Sequence, residues 1–327
     1  MTQELALLTL DAEQAVEHIG STIRELVFKR LKRKGAVVGL SGGIDSSVVA
    51  ALCARALGPD RVTGLFMPEA DSSGESVALG RALAERLGIS TVLEDITPIL
   101  QATGCYTRRD AAIRTVVPEY GEGYKSKIVL PNVLDGESYK IFSVIVQSPS
   151  GTQTKTRLTA DAYQGILAAT NFKQRVRAMM EYYYADRRQY AVAGTPNRLE
   201  YDQGFFVKIG DGAADFKPIA HLYKTQVYQL AEYLGVPKDI QSRPPTTDTY
   251  SLAQSQEEFY FSLPYHQMDI CLYGKNHGMP ASEIARILGL TDAQVERVYR
   301  DIESKRHATR YLHLKPLLID DVPEIKE

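Results

Sequence analysis

The sequence contains few cysteines, and none is placed for a structural bond or a metal site. Cys53, Cys105 and Cys271 are widely spaced, with no C-x-x-C pair and no companion cluster of histidines. An odd number of scattered cysteines favours neither a disulfide framework nor a zinc site. We therefore expect three buried free thiols.

The sequence also lacks a long apolar run and a recognisable targeting segment. No stretch approaches the ~20 apolar residues of a membrane-spanning helix. The start, Met1-Thr2-Gln3-Glu4, has neither the basic residues nor the apolar run of a signal peptide. The formal net charge of −2 argues against a nucleic-acid-binding surface. We expect a cytoplasmic protein with no membrane or nucleic-acid partner.

Length and composition indicate one large α/β unit. The chain has 327 residues, of which 44% are hydrophobic, so it can bury a sizeable core. Strand patterns alternate with helix patterns along its first third, with helices at 11–33, 44–57 and 75–87 and strands at 37–40, 61–67 and 90–96. This alternation predicts a doubly wound, mostly parallel sheet with helices on both faces. Ligands on such sheets lie beyond the carboxyl ends of the strands.

The pattern changes at about Gly104. Three short strands, at 127–130, 139–146 and 152–158, are separated by turn residues at Asp135-Gly136 and 149–151. We predict a small β-rich insertion at 104–160 within a single domain spanning 1–327. Beyond it the sequence favours helices at 167–184, 225–234, 281–288 and 291–300, and a buried strand at 189–193.

The most informative motif runs from Val37 to Ser47 and reads VVGLSGGIDSS. An apolar strand leads into a turn rich in glycine and hydroxyl groups, and an apolar helix follows. Gly42 and Gly43 permit a tight turn and close approach of a ligand, and a helix N-terminus offers unpaired backbone N–H groups to an anion. The motif therefore predicts a phosphate-binding cradle.

An acid within the cradle indicates a metal ion. The motif lacks the lysine of the G-x-x-x-x-G-K-[ST] loop and the spacing of the G-x-G-x-x-G fingerprint. It places Asp45 among the hydroxyl groups instead. A carboxylate in a phosphate-binding turn requires a bridging divalent cation, so we assign Asp45 as a magnesium ligand. A plain strand-turn-helix would account for the glycines alone.

The cradle resembles the SGGxDS signature of the N-type ATP pyrophosphatases, which split ATP into AMP and pyrophosphate. Further segments, in order along the chain, resemble the NAD synthetases within that superfamily. They are NFKQRVR at 171–177, GTPNRLE at 194–200, FFVKIGDGAADFKPI at 205–219, LYKTQV at 222–227 and PPTTD at 244–248. Together they cover most of the chain outside 104–160.

The resemblance implies a role for each matching residue. The ATP-binding set would be Gly39, Leu40, Ser41, Gly42, Gly43, Ile44, Asp45, Ser46, Thr195, Lys224 and Thr246. Asp45 and Glu200 would bind Mg²⁺, and Asp45 and Lys224 would act catalytically on the pyrophosphate leaving group. The dinucleotide-binding set would be Asn171, Arg175, Lys208, Asp211, Asp215 and Lys305, although Ser304 stands where the family has histidine before lysine.

The implied reaction needs no protein nucleophile. The nicotinate carboxylate of deamido-NAD attacks the α-phosphate of ATP, and ammonia then displaces AMP to give NAD. This agrees with a chain that has no recognisable Ser/His/Asp or Cys/His arrangement. The length leaves no room for a glutaminase domain, so glutamine would require a separate glutaminase partner.

The resemblance also implies a homodimer, with residues 179–184 as an interface element. Two alternatives remain open. One is an ATP pyrophosphatase that adenylates a different carboxylate, or the base carbonyl of a nucleotide or tRNA. The other is a non-catalytic nucleotide-binding relative, which would be expected to have lost Asp45, Glu200 or Lys224, and all three are present.

Overall fold

The computed structural model describes residues 7–72, 74–130, 142–246, 249–261, 263–320 and 322–325. Its strands are β1 (Ala36–Gly39), β2 (Val62–Phe66), β3 (Ser90–Leu93), β4 (Lys125–Val129), β5 (Ser143–Gln147), β6 (Gln153–Arg157) and β7 (Ala191–Ala193). A parallel sheet with the order β3-β2-β1-β7 forms the centre of the molecule. In its register, Val38 lies opposite Gly64 on one side and Ala193 on the other.

Helices cover both faces of this sheet. The α-helices of the described residues are α1 (Ala12–Arg24), α2 (Ile44–Leu57), α3 (Gly74–Leu87), α4 (Thr97–Ala102), α5 (Cys105–Arg114), α6 (Ala160–Arg188), α7 (Arg198–Gln203), α8 (Lys224–Tyr233), α9 (Lys238–Ser242), α10 (Tyr265–Asn276), α11 (Ala281–Leu288) and α12 (Asp292–Thr309). One core joins α1, α2, α3 and α8 to the face bearing Val38, and a second joins α4 and α6 to the face bearing Val37. Helices α10, α11 and α12 pack into a separate core with Leu199 and Tyr223. The predicted doubly wound fold is confirmed.

A second, antiparallel sheet of β4, β5 and β6 lies within the predicted insertion. The segment is not β-rich from its start, because residues 105–114 form α5, which packs along α6. Ile113 of α5 and Ile166 of α6 share a buried cluster with Val144 and Val146 of β5. The predicted turn at Asp135-Gly136, and residues 139–141 of the predicted strand, lie outside the described residues.

Several helices begin or end at residues other than those that the sequence predicts. Helix α6 runs over 29 residues rather than 167–184, because the Thr159 side chain accepts a hydrogen bond from Ala162 N and caps the helix earlier. The helix predicted at 11–33 ends as α-helix at Arg24 and continues as a π-helical turn, Glu25–Arg30. Over the described ranges, no helix has the length and apolarity that crossing a membrane requires.

Candidate active site

The sheet topology places the predicted cradle at a switch point. The chain runs outward from β1 through β2 to β3, whereas β7 lies on the opposite side of β1. A crevice therefore opens at the carboxyl ends of β1 and β7, where such sheets bind ligands. A cavity of about 700 Å³ lies there, within the range usual for small-ligand sites.

The cradle is held by its own hydroxyl groups. Gly42 has φ +73°, and a Cβ there would lie 2.4 Å from the backbone oxygen of Ser76, so only glycine fits. Ser46 Oγ and Ser47 Oγ donate to the Gly43 carbonyl over 3.1 and 2.7 Å. Ser46 Oγ also lies 3.1 Å from Ser41 Oγ. The turn is thus fixed before any anion binds, and the first turn of α2 lines the cavity.

The carboxylate of Asp45 connects the cradle to two other segments. Lys224 Nζ, at the start of α8, donates to Asp45 Oδ2. Asn197 directly precedes α7, and its Nδ2 donates a hydrogen bond to Asp45 Oδ1 over 3.0 Å. The Lys224 side chain is 2% exposed and that of Asp45 16% exposed. Burial disfavours the charged lysine, but Asp45 and Glu200 outweigh burial and raise the pKa of Lys224.

Glu200 is the second acid of this group. Its carboxylate accepts hydrogen bonds from Asn197 N over 2.9 Å and from Gln256 Nε2 over 3.0 Å. Burial first, and then the neighbouring charge of Asp45, raise the pKa of Glu200 to about 8. Lys224 opposes this shift only in part. Two acids in one poorly solvated site favour a bound cation.

A buried acid on another helix positions Lys224. Asp269 of α10 accepts hydrogen bonds from Lys224 N over 3.2 Å and from both Thr225 N and Thr225 Oγ1 over 2.7 Å. It therefore caps α8 from outside that helix. The start of α8, and with it the base of the Lys224 side chain, is fixed against α10.

The predicted dinucleotide residues extend the cavity away from the cradle. Asn171, Arg175, Lys208, Asp211 and Lys305 all line it. Arg175 Nε donates to the Lys208 carbonyl over 3.4 Å, and Lys208 Nζ donates to a backbone carbonyl on the turn after α12 over 2.7 Å. Burial raises the pKa of Asp211 to about 6, although backbone N–H groups oppose the shift. Lys305 Nζ is paired with Asp301 over 2.8 Å.

Two predicted residues are not brought to the cavity. Asp215 is exposed, and its Oδ2 accepts a hydrogen bond from Val192 N of β7 over 2.8 Å, so it supports the edge of the parallel sheet. Gly42 forms the cradle without lining the cavity. The other predicted ATP-site residues do line it: Gly39, Leu40, Ser41, Gly43, Ile44, Asp45, Ser46, Thr195, Lys224 and Thr246.

Sequence reasoning missed several residues of the site. Asn197 had a local signal, because N-x-x-E is a capping box, and both of its hydrogen bonds are present in α7. Asp269 and Gln256 had none, since each acts on residues far from it in the sequence. Glu181 of α6 was also missed, although it lines the cavity. Its Oε1 lies beside Gly39, so that a Cβ added at Gly39 would be 2.3 Å from this oxygen.

These features define a class of protein, namely an open parallel α/β protein with a nucleotide-sized cavity, an anion cradle and a lysine–carboxylate pair at the switch point. The family model described as NAD synthase matches residues 15–117 and 139–311. The chain therefore belongs to the NAD synthase family, and the predicted resemblance is confirmed. Residues 118–138, inside the predicted insertion, are not matched.

Curated relatives agree over almost the full length. The chain is 61% identical to the NH(3)-dependent NAD(+) synthetase of Mesorhizobium japonicum, over 97% of this chain and 100% of the relative. It is 59% identical to the enzyme of the same name from Rhizobium meliloti, over 98% of this chain and 95% of the relative.

Solved structures share the fold. The NMN synthetase of Francisella tularensis superposes with a TM-score of 0.64 at 22% identity, covering 95% of this chain and all of the other. The NAD+ synthetase of Burkholderia pseudomallei superposes with a TM-score of 0.57 at 24% identity, covering 92% of this chain and 91% of the other.

Proposed function

We propose that this chain makes NAD from deamido-NAD, ATP and ammonia, through an adenylated nicotinate carboxylate. One observation carries the proposal: the cradle with Asp45, Glu200 and Lys224 shares a single cavity with the basic flank of Arg175 and Lys208. A triphosphate and a dinucleotide carboxylate can therefore meet within one enclosure. The curated relatives of the same length bear the name of this activity.

At the ATP-binding end of the cavity, hydrogen-bond donors and the charge of Lys224 would act on the phosphates. The cradle N–H groups and the hydroxyls of Ser41 and Ser46 would hold the phosphates at the N-terminus of α2. Lys224 would leave Asp45 in part to contact the pyrophosphate as negative charge develops on it. Thr195 and Thr246 line the same end of the cavity and would add contacts to the nucleotide.

The acids of the site fit a magnesium ion. Mg²⁺ is commonly held by one or two carboxylates together with substrate phosphates, and Asp45 and Glu200 supply such a pair. Burial and the charge of Asp45 raise the pKa of Glu200 to about 8, and a cation bound beside the two carboxylates would lower it. When bound, the ion would neutralise charge on the phosphates. Across the described parts of the chain, no group of three or more His, Cys, Asp or Glu side chains is placed to hold a metal.

At the other end of the cavity, the predicted dinucleotide-binding residues would position the nicotinate carboxylate of deamido-NAD. Arg175 and Lys208 can pair with the pyrophosphate of deamido-NAD, and Asp211 can accept from a ribose hydroxyl. Asn171 and Lys305 line the same region. Asp215 would act indirectly, since its hydrogen bond to Val192 N holds the loop that carries Asp211 against β7.

Ammonia would then attack the adenylate carbonyl and release AMP. Its carbon–nitrogen bond forms as the bond from that carbon to the AMP oxygen breaks, and one proton leaves the nitrogen. A separate glutaminase partner would be needed only if glutamine were the nitrogen source.

The test supplies purified protein with ATP, Mg²⁺, ammonium and deamido-NAD, and measures NAD, AMP and pyrophosphate. We expect all three in equal amounts. Without ammonium we expect no NAD, and only a slow formation of AMP and pyrophosphate in equal amounts as water hydrolyses the adenylate. Nicotinate mononucleotide and free nicotinate serve as matched acceptors of smaller size. Amidation of either one in preference to deamido-NAD would replace the proposed acceptor.

We also propose a cytoplasmic homodimer. Met179 and Tyr183 on α6 are 53% and 52% exposed, although both are large and apolar in part, and a second copy of the chain would cover them. Light scattering at two protein concentrations measures the mass. A monomer at both concentrations would contradict the dimer.

A further inference from the structure

Strand β4 pairs with β5 along one edge, and residues 251–254, from a distant part of the chain, cover its other edge. Leu252 N donates to the Ser126 carbonyl over 3.2 Å, and Ser126 N donates to Ser251 Oγ over 2.9 Å. Gln254 Nε2 donates to the carbonyl of Ile128. An edge strand carries unpaired backbone groups, and here residues 251–254 satisfy them.

The start of the same segment, at Thr249, is held by a buried lysine. Lys173 of α6 is fully buried, and its Nζ donates to Glu69 over 2.9 Å, to Asp71 over 2.7 Å and to the Thr249 carbonyl over 2.8 Å. An ammonium group has three hydrogens, so every donor of Lys173 is used. Moving Thr249 would leave a buried charge without one of its three acceptors.

The segment reaches the nucleotide end of the cavity. Ser255 forms an isolated β-bridge with Thr246, and Gln256 N donates to the Pro245 carbonyl over 3.1 Å. Gln256 Nε2 then donates to Glu200 Oε1 over 3.0 Å. Thr246, Tyr250 and Gln256 all line the cavity.

The segment has little regular structure of its own between residues 249 and 255. Its position is therefore set by the partners that its polar groups find. Ser126 and Lys173 are buried, so their hydrogen bonds cannot be replaced by water without cost. Lys173 holds Thr249 and strand β4 holds residues 251–254, so the segment is fixed at two places along its length.

We propose that strand β4 and Lys173 form a positioning clamp, which fixes residues 249–256 so that Thr246 and Gln256 are held at the nucleotide site. The clamp gives the three-stranded sheet a role in ATP binding rather than in recognition of the dinucleotide. Gln256 orients the Glu200 carboxylate and Thr246 contacts the nucleotide. Arg175 lies on α6 like Lys173, but its Nε donates to the Lys208 carbonyl and not to residues 249–256. The kinetic part of this inference rests on the proposed function, and the structural part does not.

The main test variant is Ser251→Ala, which leaves the buried Ser126 N–H without its acceptor. Ser251→Thr keeps the hydroxyl and serves as the rescue. Ser150→Ala, in the exposed turn between β5 and β6, is the matched control. Lys173→Met tests the part of the clamp that holds Thr249, with a thermal melt to confirm that the variant folds.

Two measurements are made on each variant. Hydrogen–deuterium exchange should become at least tenfold faster in residues 249–256 of Ser251→Ala, with no change in Ser251→Thr or Ser150→Ala. Steady-state kinetics should show a fivefold to tenfold higher KM for ATP and an unchanged KM for deamido-NAD.

Unchanged exchange in Ser251→Ala would overturn the clamp, as would an equal rise of KM for both substrates. If the wild-type protein makes no NAD, the proposed function fails, and the exchange experiment still decides whether the clamp exists.

Discussion

Lys224 Nζ donates to the carboxylate of Asp45, joining two residues that are 179 positions apart in the sequence. Each lies in the first turn of a helix, α8 for Lys224 and α2 for Asp45. Asn197 holds the carboxylate and Asp269 holds the start of α8, so neither partner is free to move alone. The pair holds a buried ammonium group beside the predicted phosphate cradle.

Asp45→Asn should nearly abolish AMP formation. The variant keeps the size of the side chain but loses the negative charge that pairs with Lys224, and we expect turnover to fall on the order of 10²–10³-fold. Initial rates of pyrophosphate release measure this. Asp60→Asn, at an exposed position, is the control. If Asp45→Asn retained more than a tenth of the wild-type rate, Asp45 would have no part in catalysis.

Asp269→Ala should weaken both the fold and ATP turnover. It removes the acceptor of three hydrogen bonds at the start of α8. Loss of a helix cap costs about 1–2 kcal/mol, and displacement of Lys224 should lower kcat/KM for ATP about tenfold to a hundredfold. Urea unfolding and steady-state kinetics give the two values. Asp239→Ala, an exposed acid in the first turn of α9, should change neither.

Glu181→Gln should change how stability depends on pH. Burial first, then Asp211, raise the pKa of Glu181 from 4.5 to about 8, against the opposing charge of Arg177. The folded protein therefore binds this proton more tightly than the unfolded chain does. Its contribution is complete below pH 4.5 and is lost as the pH rises to about 8, with a slope of up to about 1.4 kcal/mol per pH unit.

The measurement is urea unfolding of both proteins from pH 5 to pH 9 without nucleotide or metal. The wild type should lose stability relative to Glu181→Gln across this range, since glutamine does not titrate. A difference that stays constant with pH would show that Glu181 is ionised at its ordinary pKa.

Gly39→Ala should destabilise the protein through a contact with Glu181. An added Cβ would lie 2.3 Å from Glu181 Oε1, so that carboxylate must shift. Because it is the end of a flexible side chain, we expect a cost of about 1 kcal/mol, the lower end for overpacking. Glu181→Ala in the same chain should restore part of the loss, so the two effects should not add. Gly74→Ala meets no atom within 4 Å and is the control. Strict additivity in the double variant would rule out this contact.

The sequence predicted the parallel sheet well because its signals are local. Apolar strands such as β1, followed by a turn and an apolar helix such as α2, identify βαβ units without any distant contact. Helix ends were predicted less well, since α6 begins at Ala160, seven residues before the predicted start at 167. The helix α5 was missed because its mixed polar sequence shows no clear apolar face.

The site was predicted in part. Asp45, Glu200 and Lys224 were identified from their motifs, and the structure brings them together in one cavity. The predicted dinucleotide role of Asp215 stays a prediction, and the structure shows Asp215 Oδ2 accepting a hydrogen bond from Val192 N of β7. Asp269 was missed because its partners lie 44 and 45 residues away, and no motif records a contact of that kind.

Sequence alone therefore determined the α/β class, the cradle at 39–47 and the chemical types of the groups around it. These depend on residue spacing along a strand, a turn and a helix, which neighbouring residues fix. Only the tertiary structure decided that Lys224 pairs with Asp45, that Lys173 and β4 hold residues 249–256, and that Asp215 lies away from the cavity. Those outcomes depend on which polar groups find partners across the fold, because a buried group left unpaired costs about 1–3 kcal/mol.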